Sequence, residues 1–267
     1  MKLADAIDRI RASTVQVGVE LKTSPTTMQT PTLGTGFIVN RDGWIVTARH
    51  VVEAAAKAVS GATHGGALRI GFAGPNIDEP GIQIRAAFIF RQAKVVAEDV
   101  DSDLALVQLP GDITTMFGGL RVGLSQVAGP EPRAVTLSTR RPREGTPVAI
   151  SGYPLGEPSL VTTSGHIAAP WAFENVSTGK TADRYLADAT ANPGNSGGPA
   201  YSTEAVHLLG VCVAGRNVPI QGAPGLAHFA GLTVLVPASA VATLLDKHGV
   251  AWQAESVKQP QRRTGRK

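Results

Sequence analysis

The stretch Asn192-Pro-Gly-Asn-Ser-Gly-Gly-Pro199 decides how this chain reads, because it brackets one serine, Ser196, with three glycines. A serine hydroxyl is a weak nucleophile until a base takes its proton and donors receive the oxyanion that forms. Gly194, Gly197 and Gly198 let the backbone turn sharply, so the amides of Gly194 and Ser196, with Asn195 as a third candidate, can converge on one point. A base stands upstream: Trp44-Ile-Val-Thr-Ala-Arg-His50-Val-Val52 carries a histidine at the end of an apolar run. Further on, Asp101-Ser-Asp103-Leu-Ala-Leu-Val-Gln-Leu109 puts an acid at the start of a strand-like alternation. The order His50, Asp103, Ser196 is one in which base, orienting acid and nucleophile are found. Asp101 competes for the acid's place, and the Leu104-Ala-Leu106 run directly after Asp103 favours the latter.

Composition agrees with a β-rich enzyme. The 267 residues, 43% apolar and 17% charged, can bury the core of one large β domain or two small lobes. Thirty glycines and eighteen prolines spread along the chain imply the many turns of an all-β fold. The one cysteine, Cys212, excludes an internal disulfide framework and a cysteine-based metal site, and within Leu208–Ala214 it reads as a buried structural thiol. His64, His166, His207, His228 and His248 show no metal-ligand spacing, so neither metal nor cofactor is expected. No run of eighteen apolar residues occurs, and no membrane span is expected. The N-terminus lacks the long apolar centre of a signal peptide, which predicts a cytoplasmic location if Met1 is the native start. Five positive charges fall in the last ten residues, so the net charge of +4 becomes −1 for the rest. Residues 258–267 therefore read as a basic, disordered tail on a near-neutral body, and a nucleic-acid partner is not expected.

Leu3, Ile7 and Ile10 at helical spacing predict a helix over residues 3–12. From Thr14 onward, short runs rich in Val and Ile predict two sets of strands. The stretch Phe117–Arg143 between them places a lobe boundary near residue 120. This gives an N-lobe over about 13–120 and a C-lobe over about 121–236, together a single domain over 1–257. A helix over 237–248 follows, opened by Pro237 and stopped by Gly249. Arg216–Gly225 reads as a loop, Arg140, Arg141 and Arg143 as a solvated turn, and Trp171 and Phe173 as packing residues. Ser177-Thr-Gly-Lys-Thr181 echoes the end of a phosphate-binding loop, but Glu174 stands where the first glycine belongs, and no nucleotide site is assigned.

Together these residues resemble the trypsin-like (chymotrypsin-fold) serine proteases, and most closely the protease domain of the bacterial HtrA/Deg group. The resemblance runs through Gly34-Thr-Gly-Phe-Ile-Val39, Asp42 to His50-Val-Val52, Asp103-Leu-Ala-Leu106, Pro147 to Gly156, Thr163-Ser-Gly-His-Ile167 and Asp188 to Pro199. It implies an all-β fold of two six-stranded antiparallel barrel lobes, with short N- and C-terminal helices. The active site would lie between them. It also implies hydrolysis of polypeptide substrates, unfolded, damaged or regulatory, through an acyl-enzyme and without ATP. Thr190 and Ala191, with Val213-Ala-Gly215 as a wall, would line the primary specificity pocket. Since no acid stands there, a small-to-medium aliphatic residue is expected before the scissile bond. A homo-oligomer is compatible with the resemblance, and no PDZ-like domain is expected after residue 250. The competing readings are a latent or non-catalytic module that binds extended peptides and an esterase or acyl transferase using the same triad.

Overall fold

Strand β1 (Thr14–Lys22) shows why β structure wins: Val15, Val17 and Val19 recur at every second residue and are fully buried. The polar Thr14 and Gln16, on the alternate positions, are buried as well, so both faces of the strand are covered. The computed structural model describes residues 2–24, 26–73, 77–79, 82–84, 88–113, 121–122, 125–126, 131–219, 221 and 227–256. The lobe boundary expected near residue 120 and the tail over 258–267 lie outside the described residues.

In the first lobe β1 pairs antiparallel with β2 (Thr32–Ile38) on one side and β4 (Gly66–Ala73) on the other. β2 continues to β3 (Trp44–Ala48), and β3 to β7 (Leu104–Gln108). The chain segments β5 (Phe88–Gln92) and β6 (Lys94–Asp99) are separated by Ala93 alone. β5 pairs with β4 and β6 with β7, so one bent segment joins the two ends of the series and the sheet curls back on itself.

The second lobe closes outright. Its strands are β8 (Pro147–Gly152), β9 (Val161–Asn175), β10 (Thr181–Ala187), β11 (Pro199–Ser202), β12 (His207–Pro219) and β13 (Ala227–Pro237). They run in the order β11-β8-β9-β10-β13-β12, and β12 pairs back onto β11. The ring is antiparallel, as expected; outside it the short strand Thr136–Leu137 pairs in parallel with β12, and Gln253–Ala254 pairs in parallel with Thr136–Leu137. One apolar cluster spans the first lobe and the interface, from Val15 and Phe37 to Tyr201 and Val236; a smaller one around Ile150, Ile167 and Leu235 fills the second ring.

Helices α1 (Leu3–Arg11) and α3 (Ala238–Lys247) stand where expected. A further helix, α2 (Arg49–Ser60), corrects the sequence reading, which had only the terminal helices. Its alanine-rich run from Val51 to Val59 is a good helix former, hidden because His50-Val-Val52 extends an apolar strand pattern. Of the expected loop over 216–225, residues 220 and 222–226 lie outside the described residues, and its first part is corrected: β12 runs on to Pro219, and Asn217 pairs with Phe229. Trp171 and Phe173 are exposed on β9 rather than packed. Arg141 lies 3.5 Å over the Trp171 ring and pairs with Asp183, so it is not a free solvated charge. The glycine-lysine echo of a phosphate loop forms the β9–β10 hairpin turn, with Lys180 Nζ 2.7 Å from Asp101.

Candidate active site

His50 sits in the first turn of α2, immediately after β3. Ala48 at the helix N-cap offers no side-chain acceptor, so the first amides need partners from elsewhere. Asp103, at the start of β7, supplies them: its carbonyl accepts the Arg49 N–H at 2.9 Å and its Oδ1 accepts the His50 N–H at 3.1 Å. Its Oδ2 lies 2.7 Å from His50 Nδ1. A carboxylate at the positive end of the helix, held on Oδ1 by the His50 amide while the residue's own carbonyl takes the Arg49 amide, holds the ring by Nδ1. Asp103 has φ of +58°, a left-handed conformation that Asp tolerates better than most residues. The competing acid is occupied differently. Hydrogen bonds from Lys180 and Thr178 hold the Asp101 carboxyl below its ordinary range, and it faces the β9–β10 hairpin.

Ser196 lies in the loop before β11, and the loop is stitched from within. Asn195 N–H donates to Asn192 O at 2.9 Å, Gly198 N–H to Asn195 O at 2.8 Å, and Gly197 N–H to Cys212 O at 2.7 Å. The N–H groups of Gly194 and Ser196 have no hydrogen-bond partner among the described residues. Pro193 C=O accepts the Leu155 N–H at 2.8 Å. Across the trans peptide this directs the Gly194 N–H away from Leu155, with Gly194 at φ of +102°. Asn195 leaves the set of three candidate oxyanion donors, since its amide is engaged and its side chain is buried with Oδ1, an acceptor, facing inward. Ser196 Oγ makes no hydrogen bond among the described residues, a looser arrangement than the His50–Asp103 contact; such bonds often tighten only when substrate is engaged.

A cavity of about 410 Å³ opens beside Ser196. Of the residues that the resemblance places in a specificity pocket, Ala191, Ala214 and Gly215 line this cavity and Thr190 and Val213 do not. The pleat of β12 turns Val213 to the core side while Cys212 and Ala214 face the cavity. Thr190 is exposed, its carbonyl accepting the Thr163 hydroxyl at 2.6 Å. The lining also holds Asn192, Pro193, Cys212, Asn217 and Phe229, which the sequence does not mark as pocket residues; Asn217 and Phe229 come together through the pairing of β12 with β13. Burial pushes the Cys212 thiol up to about 12, so at neutral pH it is a protonated wall group and not a rival nucleophile. Larger hollows of about 570 and 640 Å³ lie around Arg133 and Trp252 and around Lys94 and Pro110. Neither touches His50, Asp103 or Ser196, so the chemistry and not the volume locates the site.

Two curled β lobes, one carrying the His50–Asp103 pair and the other the glycine-flanked Ser196, are the architecture of the chymotrypsin-like fold. The family model for the trypsin-like peptidase domain matches residues 34–211, and the chain belongs to that family. Among curated proteins it is similar to a "Probable periplasmic serine endoprotease DegP-like" of Marinomonas sp. (strain MWYL1), 25% identical over 225 residues that make up 82% of this chain and 36% of the relative. A protein of the same description from Rickettsia conorii (strain ATCC VR-613 / Malish 7) is 27% identical over 194 residues, 70% of this chain and 30% of the relative. The chain thus spans about a third of the length of these relatives.

Proposed function

We propose that this chain cleaves peptide bonds through a Ser196–His50–Asp103 triad and an acyl-enzyme, without ATP, on unfolded or regulatory polypeptides. The observation that carries the reading is the 2.7 Å contact between His50 Nδ1 and Asp103 Oδ2, reinforced by the His50 amide on the same carboxylate. Ser196 Oγ attacks the scissile carbonyl, His50 takes its proton and returns it to the leaving amine, and Asp103 stabilises the imidazolium. The unpartnered amides of Gly194 and Ser196 receive the oxyanion, each worth about 3–4 kcal/mol in the transition state. The test is labelling with a fluorophosphonate, read by intact mass beside a Ser196→Ala control. Stoichiometric labelling that vanishes in the control supports the triad. A folded protein that takes no label overturns it in favour of a latent peptide-binding module awaiting an activator.

The cavity beside Ser196 carries no charged side chain, and the Phe229 ring closes on Gly215, where an added Cβ would stand 2.8 Å from ring carbon Cε2. This favours Ala, Val, Leu or Ile before the scissile bond over a long basic residue. Phe229→Ala is expected to raise kcat/KM for Phe over Val at that position by about tenfold or more. A peptide library on the unaltered protein that prefers Arg or Lys, or an unchanged ratio in the variant, would remove this assignment.

A further inference from the structure

Between the two lobes lies a residue that the chemistry above does not use. Thr35, on β2 and fully buried, reaches the nucleophile loop by backbone and side chain at once. Its N–H donates to Ser196 O at 2.8 Å, and its hydroxyl donates to Gly194 O at 2.7 Å. The same hydroxyl oxygen accepts the Tyr153 N–H at 3.0 Å, and the Thr35 carbonyl accepts the Thr47 hydroxyl at 2.6 Å. Thr47 stands three residues before His50 on β3. Two residues after Tyr153, the Leu155 N–H holds the Pro193 carbonyl that precedes Gly194.

From these contacts we infer that Thr35 is a positioning residue whose hydroxyl sets the orientation of the oxyanion-binding loop. The inference rests on the reading of Ser196 as nucleophile. A hydroxyl can donate once and accept from a second group, and here both capacities are spent on the site. The donated proton fixes the Gly194 carbonyl, whose peptide continues to the Asn195 amide already held by Asn192 O. The accepted proton fixes Tyr153 and with it the turn that holds Pro193. The peptides on both sides of Gly194 are thereby clamped, and the Gly194 N–H keeps one direction without being contacted itself. Donors held in advance cost no reorganisation when the oxyanion forms, so loosening this clamp acts on the transition state and not on substrate binding.

Three substitutions test this, compared with the unaltered protein by kcat and KM on a peptide substrate, fluorophosphonate labelling rate at Ser196 and thermal melting. Thr35→Val keeps the shape and removes both hydrogen bonds; kcat and labelling rate are expected to fall about ten- to hundredfold while KM stays within about twofold. Thr35→Ala carries the same expectation should the valine chain not fold. Thr35→Ser keeps the hydroxyl, drops a methyl, and is expected to hold kcat within about twofold. A folded valine or alanine variant with unchanged kcat, or one whose loss is all in KM, overturns the inference. So does a serine variant that melts normally but loses tenfold in rate. If the unaltered protein itself takes no label at Ser196, the reading of the nucleophile fails first, and that outcome is separate from any contrast among the Thr35 variants.

Discussion

The Asp103→Asn protein is expected to lose on the order of 10⁴-fold in kcat at neutral pH with little change in KM or melting temperature. The argument follows from how both carboxylate oxygens are used. Oδ1 accepts the backbone N–H of His50 at 3.1 Å, so an asparagine must keep its carbonyl oxygen there or orphan a helix N-terminal amide. Its NH₂ group then faces His50 Nδ1, which in the native site lies 2.7 Å from Oδ2. An NH₂ group donates and does not accept, so Nδ1 must become the acceptor and the ring proton moves to the other nitrogen. A histidine protonated on Nε2 has no free nitrogen with which to take a serine's proton. The backbone has little reason to object, since Asn tolerates the left-handed conformation that Asp103 adopts at φ of +58°. Steady-state kinetics, labelling rate and circular-dichroism melting on one preparation check this. A loss below about tenfold would mean that Asp103 caps α2 and does not govern the histidine.

How much of this was readable from the chain depends on the distance over which each feature is determined. The glycine-cradled serine, the histidine after an apolar strand and the acid before another are local patterns, and the structure brings the last two together directly. The strands of the second ring were legible because their Val and Ile alternation is buried, as with Val148 and Ile150 of β8. Helix α2 was lost because the strand leading to His50 and the helix after it share one apolar run, and only the alanines beyond Val52 mark the change of period. The pocket was the least legible part. Whether Val213 or its neighbours face the cavity depends on the pleat phase of β12, and Phe229 enters only because β13 pairs opposite Asn217. Asp101 and Asp103 likewise differ only in partners distant in sequence, Lys180 for one and His50 for the other. Thr35 gave no signal of its own, because what makes it matter is a contact with Gly194, 159 residues away.

The largest loss of stability from a single methyl is expected at Gly197. A Cβ there would stand 2.2 Å from Thr35 O, 2.2 Å from Thr47 Oγ1 and 2.7 Å from Ala48 N, all groups of the first lobe. Two of these are backbone atoms within paired strands, so they cannot swing aside as the end of a flexible side chain would. Gly197 also has φ of +84°, unfavourable for any residue with a side chain. Conformational strain and overpacking together predict that Gly197→Ala destabilises the protein by about 3 kcal/mol or more. Gly145→Ala separates the two causes: Gly145 has φ of +78° but nothing within 4 Å of an added Cβ, so it carries the backbone cost alone, about 1 kcal/mol. Urea unfolding of both variants gives the comparison, read as a shift in midpoint at constant slope. Equal shifts would mean that the lobes yield at Gly197 and the contact is soft. A much larger shift at Gly197 would mean that the lobes are pressed together where the chain passes from Ser196 to Pro199. In that case the missing side chain is what lets the serine loop of one lobe lie against Ala48, two residues before the histidine of the other.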